Sequence, residues 1–203
     1  MIIDLLKSRR SVRKYSDKKI TREQIDYILE AGRLSPSGGN EQPWKFGVIT
    51  DKALIKEIAK TAYNQKWIAG AQFLIVLCIR VISDREGGRN IQTSRFPDLK
   101  EEINNLDKKL YTRLNMEEHQ TKIPGTHMIL AAQEQGIGST WISYFKVDKV
   151  ATLLGLPQNY LPSEIIAFGY PVQDTSRTSK KDREELVFFN DELFNEGNDL
   201  NKK

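Results

Sequence analysis

Hydrophobic residues recur along this chain in two alternating rhythms. Thr21-Arg-Glu-Gln24 has the spacing of a capping box, and Ile25, Ile28 and Leu29 follow it at helical period. The helix they predict should stop near Gly32 to Pro36, because proline cannot continue it and the Ser-Gly-Gly beyond disfavours it. A short helix over residues 2–8 precedes it. Residues 44–50 put Trp44, Phe46 and Val48 on one face, the period-2 pattern of a half-buried strand. Asp51 can cap a following helix that carries Leu54, Ile55, Ile58, Ala59 and Ala62. Phe73–Ile79 is an unbroken apolar run, which predicts a strand buried on both faces.

The second half is less regular. Residues 83–122 are polar and helical in pattern, with Leu99, Ile103, Leu106 and Leu110 in one narrow apolar stripe suited to packing against a domain or partner. Pro124-Gly125 is expected to open a helix through Met128, Ile129, Ala131 and Ala132, closed at Gly136. Ser139–Tyr144 reads as a strand and Val147–Leu154 as a helix closed by Gly155 and Pro157. Glu164–Phe168 reads as a short strand that Gly169-Tyr-Pro171 breaks. An apolar patch at Leu186–Phe189 and a polar tail follow. There is no internal repeat or linker, and several connections are too short or irregular for regular right-handed crossovers. The expected class is α+β: a central mixed, largely antiparallel sheet flanked by helices, in one domain over 1–190 with a tail over 191–203.

Composition narrows the field. A chain of 203 residues can bury a core without disulfide or metal staples. The single cysteine, Cys78, lies inside the apolar run. It reads as a small core hydrophobe, and an internal disulfide framework or a zinc site built on two or more cysteines is excluded. His119 and His127 have no third histidine and no His-Glu-x-x-His pattern, so each is expected to cap or decorate a helix, and no metal site is expected. The start of the chain lacks the basic and apolar regions of a signal peptide. No apolar run approaches the ~20 residues of a membrane span, so a cytoplasmic location and no membrane partner are expected. The balance of 31 Lys+Arg against 27 Asp+Glu, a formal net charge of +4, is too small to imply a nucleic-acid partner.

Three clusters carry candidate chemistry. Arg9-Arg10-Ser11-Val12-Arg13 combines three guanidiniums with a hydroxyl. Taken alone it reads first as a solvated basic turn, and second as a grip for a phosphate dianion through charge-assisted, fork-shaped hydrogen bonds. In Ser35-Pro-Ser-Gly-Gly-Asn-Glu-Gln-Pro-Trp44, two glycines let the backbone approach a planar ligand while Ser37, Asn40 and Gln42 supply donors and acceptors. A polar interhelical loop is the plainer reading, although so many amides followed at once by Pro-Trp are not generic. Gln135–Tyr144 contains Gly-x-Gly, but Trp141 stands where a third glycine belongs, and the glycines follow a helix and precede a strand. It is not a dinucleotide fingerprint.

In their order and spacing these motifs resemble the nitroreductase family of FMN-dependent oxidoreductases. The resemblance rests on Arg-Arg-Ser-x-Arg, on Ser-Pro-Ser-x-x-Asn-x-Gln-Pro-Trp, on the helix–Gly-x-Gly–Trp-Ile segment and on Gly169-Tyr-Pro171. Lys181 and Arg183 before Glu-Glu-Leu186 complete it. It implies an intertwined homodimer whose C-terminal arm crosses to the partner, with FMN at the subunit interface. Arg9, Arg10, Ser11 and Arg13 would hold the phosphate, joined by Lys181 and Arg183. Ser37, Gly38, Asn40 and Gln42 match flavin-contacting positions, some of them serving the second subunit. Ser143 and Tyr144 match positions whose backbone lies beside the ring's reactive nitrogen, where some members carry Glu-Gly instead. Asn64 falls near a further flavin contact, beside Lys66 or Trp67, and segment 83–122 corresponds to the part that covers the substrate face.

No catalytic dyad or carboxylate pair is evident. None is needed where a flavin carries the chemistry and the protein supplies position, electrostatics and exclusion of water. The activity implied is NAD(P)H-dependent reduction of nitroaromatic, quinone or related electron-poor acceptors by a ping-pong mechanism. Reductive dehalogenation on the same fold is an alternative with which Thr140–Tyr144 is compatible. A flavin- or nucleic-acid-binding module without turnover is the alternative outside enzymes, and the absence of aromatics interleaved with the basic cluster stands against it.

Overall fold

The computed structural model describes residues 1–63, 65–81, 89–107, 110–111, 118–172, 178–187 and 189. Its helices are α1 (Ile2–Ser8), α2 (Arg22–Arg33), α3 (Lys52–Thr61), α4 (Arg89–Arg95), α5 (Lys100–Asn105), α6 (Glu118–Glu134) and α7 (Val147–Leu153). Four strands, β1 (Trp44–Ile49), β2 (Phe73–Arg80), β3 (Gly138–Ile142) and β4 (Tyr160–Gly169), form one sheet in the order β1-β2-β4-β3. Every neighbouring pair is antiparallel, so β1 and β3 are the edges. Among the described residues, the parallel component of the expected mixed sheet reduces to a bridge between Ser11, outside the strands, and Ser139 of β3.

The apolar run that predicts a strand buried on both faces does so because β2 lies between two helical layers. Phe73, Ile75 and Leu77, with Ile166 and Phe168 of β4, pack on Ile25 and Ile28 of α2 and Met128 and Ala132 of α6. Leu74, Val76 and Cys78 face Ile55 and Ile58 of α3 and Val150 of α7 on the other side. The helix starts follow their capping residues. Thr21 Oγ1 accepts from the Gln24 N–H at 3.3 Å while Gln24 Oε1 accepts from the Thr21 N–H at 3.1 Å. Asp51 Oδ1 accepts from the Leu54 N–H at 2.7 Å.

Two expectations are corrected. Helix α6 does not begin at Pro124; it runs from Glu118 with Pro124 inside it. The proline removes one helical hydrogen bond, but Pro124, Gly125 and Met128 are buried and hold the helix to the sheet. A Cβ on Gly125 would stand 2.5 Å from Trp141 Cη2 and 2.7 Å from Leu77 Cδ1, so Pro-Gly marks a close approach to the sheet rather than a helix start. Strand β4 begins at Tyr160, four residues before the expected Glu164. Its register against β2 shifts between Leu77 and Cys78, pairing Leu77 with Glu164 and Cys78 with Pro162. Pro162 is tolerated because β3 pairs with residues 165–169 of β4, and among the described residues that side of residues 160–164 carries no ladder.

In the 83–122 region the apolar stripe is interrupted. Leu99 ends a 3₁₀ turn and Leu106 follows α5, and Leu99, Leu106 and Leu110 are exposed. Arg89 closes α5 by donating to the carbonyls of Ile103, Asn104 and Leu106 at 2.7–2.9 Å. His127 Nδ1 lies 2.7 Å from Ser35 Oγ, tying α6 to the end of α2. No helix among the described residues is long and apolar enough to cross a membrane. The tail over 191–203 lies outside the described residues.

Candidate functional site

The N-terminal basic cluster is built onto the β3 edge. At Arg9 the chain leaves α1 with extended backbone (φ −61°, ψ 137°). Arg10 turns its guanidinium back onto the carbonyls of Lys7 and Arg9, at 2.7 and 2.6 Å, and so closes the helix end. The Val12 N–H donates to the Ser139 carbonyl at 3.0 Å, and Thr140 Oγ1 donates to the Val12 carbonyl at 2.5 Å. Val12 is buried against Gly138, whereas its neighbours Ser11 and Arg13 are exposed. The Arg13 guanidinium lies 5.6 Å over the Trp67 ring, a cation–π contact at the same edge.

Ser143 and Tyr144 follow β3 directly, and both are exposed. The Tyr144 ring stacks on Tyr63 with centroids 4.1 Å apart, and its carbonyl accepts from Gln65 Nε2 at 3.1 Å. Tyr63 has a φ of +48°, a left-handed conformation that bulky residues adopt only under constraint. Asn64 lies outside the described residues. An open groove of about 530 Å³ adjoins the tyrosines, lined by Tyr63, Phe145, Lys146 and Leu161 among others.

The amide-rich loop is a compact turn before β1. Gly39, Asn40 and Gln42 all have positive φ, at 55°, 55° and 47°, which suits glycine and asparagine and strains glutamine. The strain is held by the Gln42 N–H donating to Ser37 Oγ at 2.9 Å and the Gly38 N–H donating to Gln120 Oε1 of α6 at 2.9 Å. Gln42 Nε2 in turn donates to Asn40 Oδ1 at 3.2 Å, so two exposed amides stand side by side.

The two sets lie on opposite edges of the sheet, one before β1 and the other along and beyond β3. With strands about 4.8 Å apart, three steps separate the edges by about 14 Å. Arg9–Arg13 and Ser143–Tyr144 thus share the β3 edge, and Ser37–Gln42 lies on the far side. Lys181 and Arg183 belong to an exposed segment around a 3₁₀ turn, Arg183–Glu185. The ion pair of Lys181 with Glu185 (3.6 Å) and the hydrogen bonds found there stay within that segment.

A charged group that the motifs did not reveal sits behind Ser143. Glu164, 1 % exposed in β4, accepts through Oε2 from Trp141 Nε1 and from Ser143 Oγ, each at 2.5 Å. Its Oε1 faces Lys122 Nζ of α6 at 3.4 Å. The signal for it was one acid heading the otherwise apolar run Glu164-Ile-Ile-Ala-Phe168. Among the described residues, no group of three or more His, Cys, Asp or Glu could hold a metal ion.

The nitroreductase family model matches residues 6–170, and the chain belongs to this family, which places it among oxidoreductases. A protein of Archaeoglobus fulgidus, provisionally named an NADH dehydrogenase/NAD(P)H nitroreductase, is 28% identical over 185 residues, covering 89% of this chain and 91% of its own length. A provisionally named NAD(P)H nitroreductase of Haemophilus influenzae is 30% identical over 208 residues, with coverages of 92% and 94%. Among solved structures, an FMN-dependent nitroreductase from Clostridium difficile superposes with a TM-score of 0.68 at 23% identity, covering 93% of this chain and 98% of that one. A nitroreductase family protein from Streptococcus pneumoniae gives a TM-score of 0.73 at 22% identity, with coverages of 93% and 100%. The structural matches establish the shared fold.

Proposed function

We propose that the protein is an FMN-dependent oxidoreductase that acts as a homodimer, drawing electrons from NAD(P)H and delivering them to nitroaromatic, quinone or related electron-poor acceptors. The observation that carries this reading is the division of the donor groups between the two sheet edges. One chain offers an anion grip at β3 and an amide turn at β1, and a second copy supplies the half that each lacks.

The donor set suits FMN. Ser11 and Arg13, held outward by the Val12 anchor, supply a hydroxyl and a guanidinium to the phosphate, with Arg9, Lys181 and Arg183 adding charge. Arg10 is partly committed to the end of α1, so its share is the smaller. Ser37, Gly38, Asn40 and Gln42 supply amide and hydroxyl contacts from the partner copy, and Asn64 is assigned to the same shell. The backbone of Ser143 and Tyr144 borders the reactive edge of the ring. When bound, FMN supplies the two-electron relay between NAD(P)H and the acceptor, so that donor and acceptor occupy one face in turn. The chain's own work is to fix the ring, to surround it with donors that favour added negative charge, and to keep water from its face. The Tyr63–Tyr144 stack and the adjoining groove give a planar acceptor an aromatic surface to lie against.

The test is the absorbance spectrum and mass of the small molecule that co-purifies, followed by NAD(P)H oxidation with and without p-nitrobenzoate or a benzoquinone. Bound FMN at one per chain, a dimer by sedimentation and acceptor-dependent turnover are expected. A colourless protein that takes up no FMN and oxidises no NAD(P)H refutes the reading.

A further inference from the structure

Glu164 has no task in the scheme above, and its position is expensive. A carboxylate withdrawn from water is costly even when paired, and an apolar residue of similar size usually serves stability as well. Yet every other residue from Ile165 to Phe168 is apolar and buried, and this one position carries a charge. Both of its oxygens are engaged, one by Trp141 and Ser143, the other facing the half-exposed Lys122.

The location gives the charge a use. Ser143 is exposed and is the first residue beyond β3, and the buried carboxylate lies directly behind its hydroxyl. On the functional reading above, Ser143 borders the reactive edge of the flavin, so the charge stands one side chain behind the ring. Hydride transfer from NAD(P)H adds two electrons and one proton to a neutral oxidised flavin. NAD(P)⁺ is released, and the reduced ring retains a negative charge. A fixed anion in a region of low dielectric disfavours that state, and a cation paired with it offsets the effect.

We propose that Glu164 and Lys122 form a charge pair that sets the reduction potential of the flavin, the carboxylate lowering it and the ammonium raising it. The inference rests on the functional reading above and goes beyond it by assigning two residues outside the contacts proposed there for the cofactor. Ser143 and Trp141 keep the carboxylate in place; the pair acts through its field.

The experiment is a redox titration of the full-length holoenzyme against a reference dye, for the wild type, E164Q and K122M. Glutamine keeps an acceptor oxygen for Trp141 and Ser143, removes the charge and turns an amide N–H group toward Lys122 in place of Oε1. At the potential that leaves the wild type half reduced, the reduced-to-oxidised ratio should rise roughly tenfold in E164Q, about 30 mV for a two-electron couple. In K122M it should fall. The opposite signs separate a charge effect from a loss of packing, which would move both variants the same way. Should E164Q not fold, K122M is set against K122R, which keeps the charge: the ratio should fall in K122M and stay with the wild type in K122R. Ratios within twofold of the wild type in both E164Q and K122M, shifts of the same sign in those two, or a fall in K122R equal to that in K122M overturn the inference while leaving the functional reading intact. A wild type that binds no FMN overturns both.

Discussion

Replacing Gly138 by alanine tests whether the edge of the sheet holds the phosphate grip. An added Cβ there would stand 2.5 Å from Val12 Cγ2, 2.8 Å from Val12 Cβ and 3.1 Å from Val12 Cγ1. Valine is branched at Cβ and has little rotamer freedom, so it cannot swing aside. Either the Ser11–Arg13 segment moves out from β3 or the contact remains strained. Strain of this kind costs about 1–3 kcal/mol. Lifting the segment instead weakens the Val12–Ser139 and Thr140–Val12 hydrogen bonds, each worth about 1 kcal/mol. A net loss of about 2 kcal/mol lowers the Tm of a chain this size by about 4–8 °C. Ser11 and Arg13 move with Val12, so FMN affinity should drop by about tenfold or more. The assays are thermal unfolding at fixed protein concentration and quenching of FMN fluorescence on titration. A variant with a lower Tm and unchanged FMN affinity would show that the grip does not depend on this anchor; a variant unchanged in both would falsify the packing argument itself.

Arg13→Ala should weaken FMN binding by about 1.5–3 kcal/mol through loss of one charge-assisted contact, and an unaltered dissociation constant speaks against Arg13 as a phosphate ligand. Asn40→Gly preserves the left-handed turn at φ +55° and removes the amide, so FMN retention should fall at unchanged Tm. Asn40→Ala adds about 1 kcal/mol or more of backbone strain and should lower both; full flavin retention in the glycine variant refutes the role of the amide. Burial pushes the Cys78 thiol up to about 11 from its ordinary value of 9.0. The folded state then holds a proton that the unfolded state has released, so stability is intact below pH 9.0 and declines as pH rises to about 11. Cys78→Ala should flatten that decline by about 2 kcal/mol in urea titrations across the window. The slope that persists belongs in part to Tyr15, whose hydroxyl burial also pushes up, against the opposing effects of Thr140 and the Arg13 charge; a slope identical to the wild type contradicts the assignment to Cys78.

Much of the fold is legible where local chemistry and tertiary packing agree. Thr21 and Gln24 announce α2 through a reciprocal bond that needs no distant partner. The run from Phe73 to Ile79 announces β2 because only a doubly covered strand buries every position. What is not legible depends on contacts across the sheet. Pro124 reads as a helix start until Gly125 is seen against Trp141. The extension of β4 to Tyr160 depends on a register shift opposite Leu77 and on β3 ending early, and neither leaves a mark in the local pattern. The same holds for the candidate site. The clusters at Arg9–Arg13 and Ser37–Gln42 stand out by composition, but their division between two edges follows from strand order, which no spacing encodes. Glu164 is conspicuous only as a polar letter in an apolar word; its partners Trp141, Ser143 and Lys122 come from β3, the residue after it and α6.

The segment that lies beside β3 has a second consequence, for solubility rather than catalysis. A bare edge strand offers unpaired amides to any passing chain and invites aggregation. Here Ser11 and Val12 occupy the outer rim of β3, so the stretch proposed to receive an anion also blunts the edge against intermolecular zippering. Trimming the first dozen residues therefore removes a guard as well as a ligand contact, and the shortened chain should collect in the pellet before any loss of turnover could be measured.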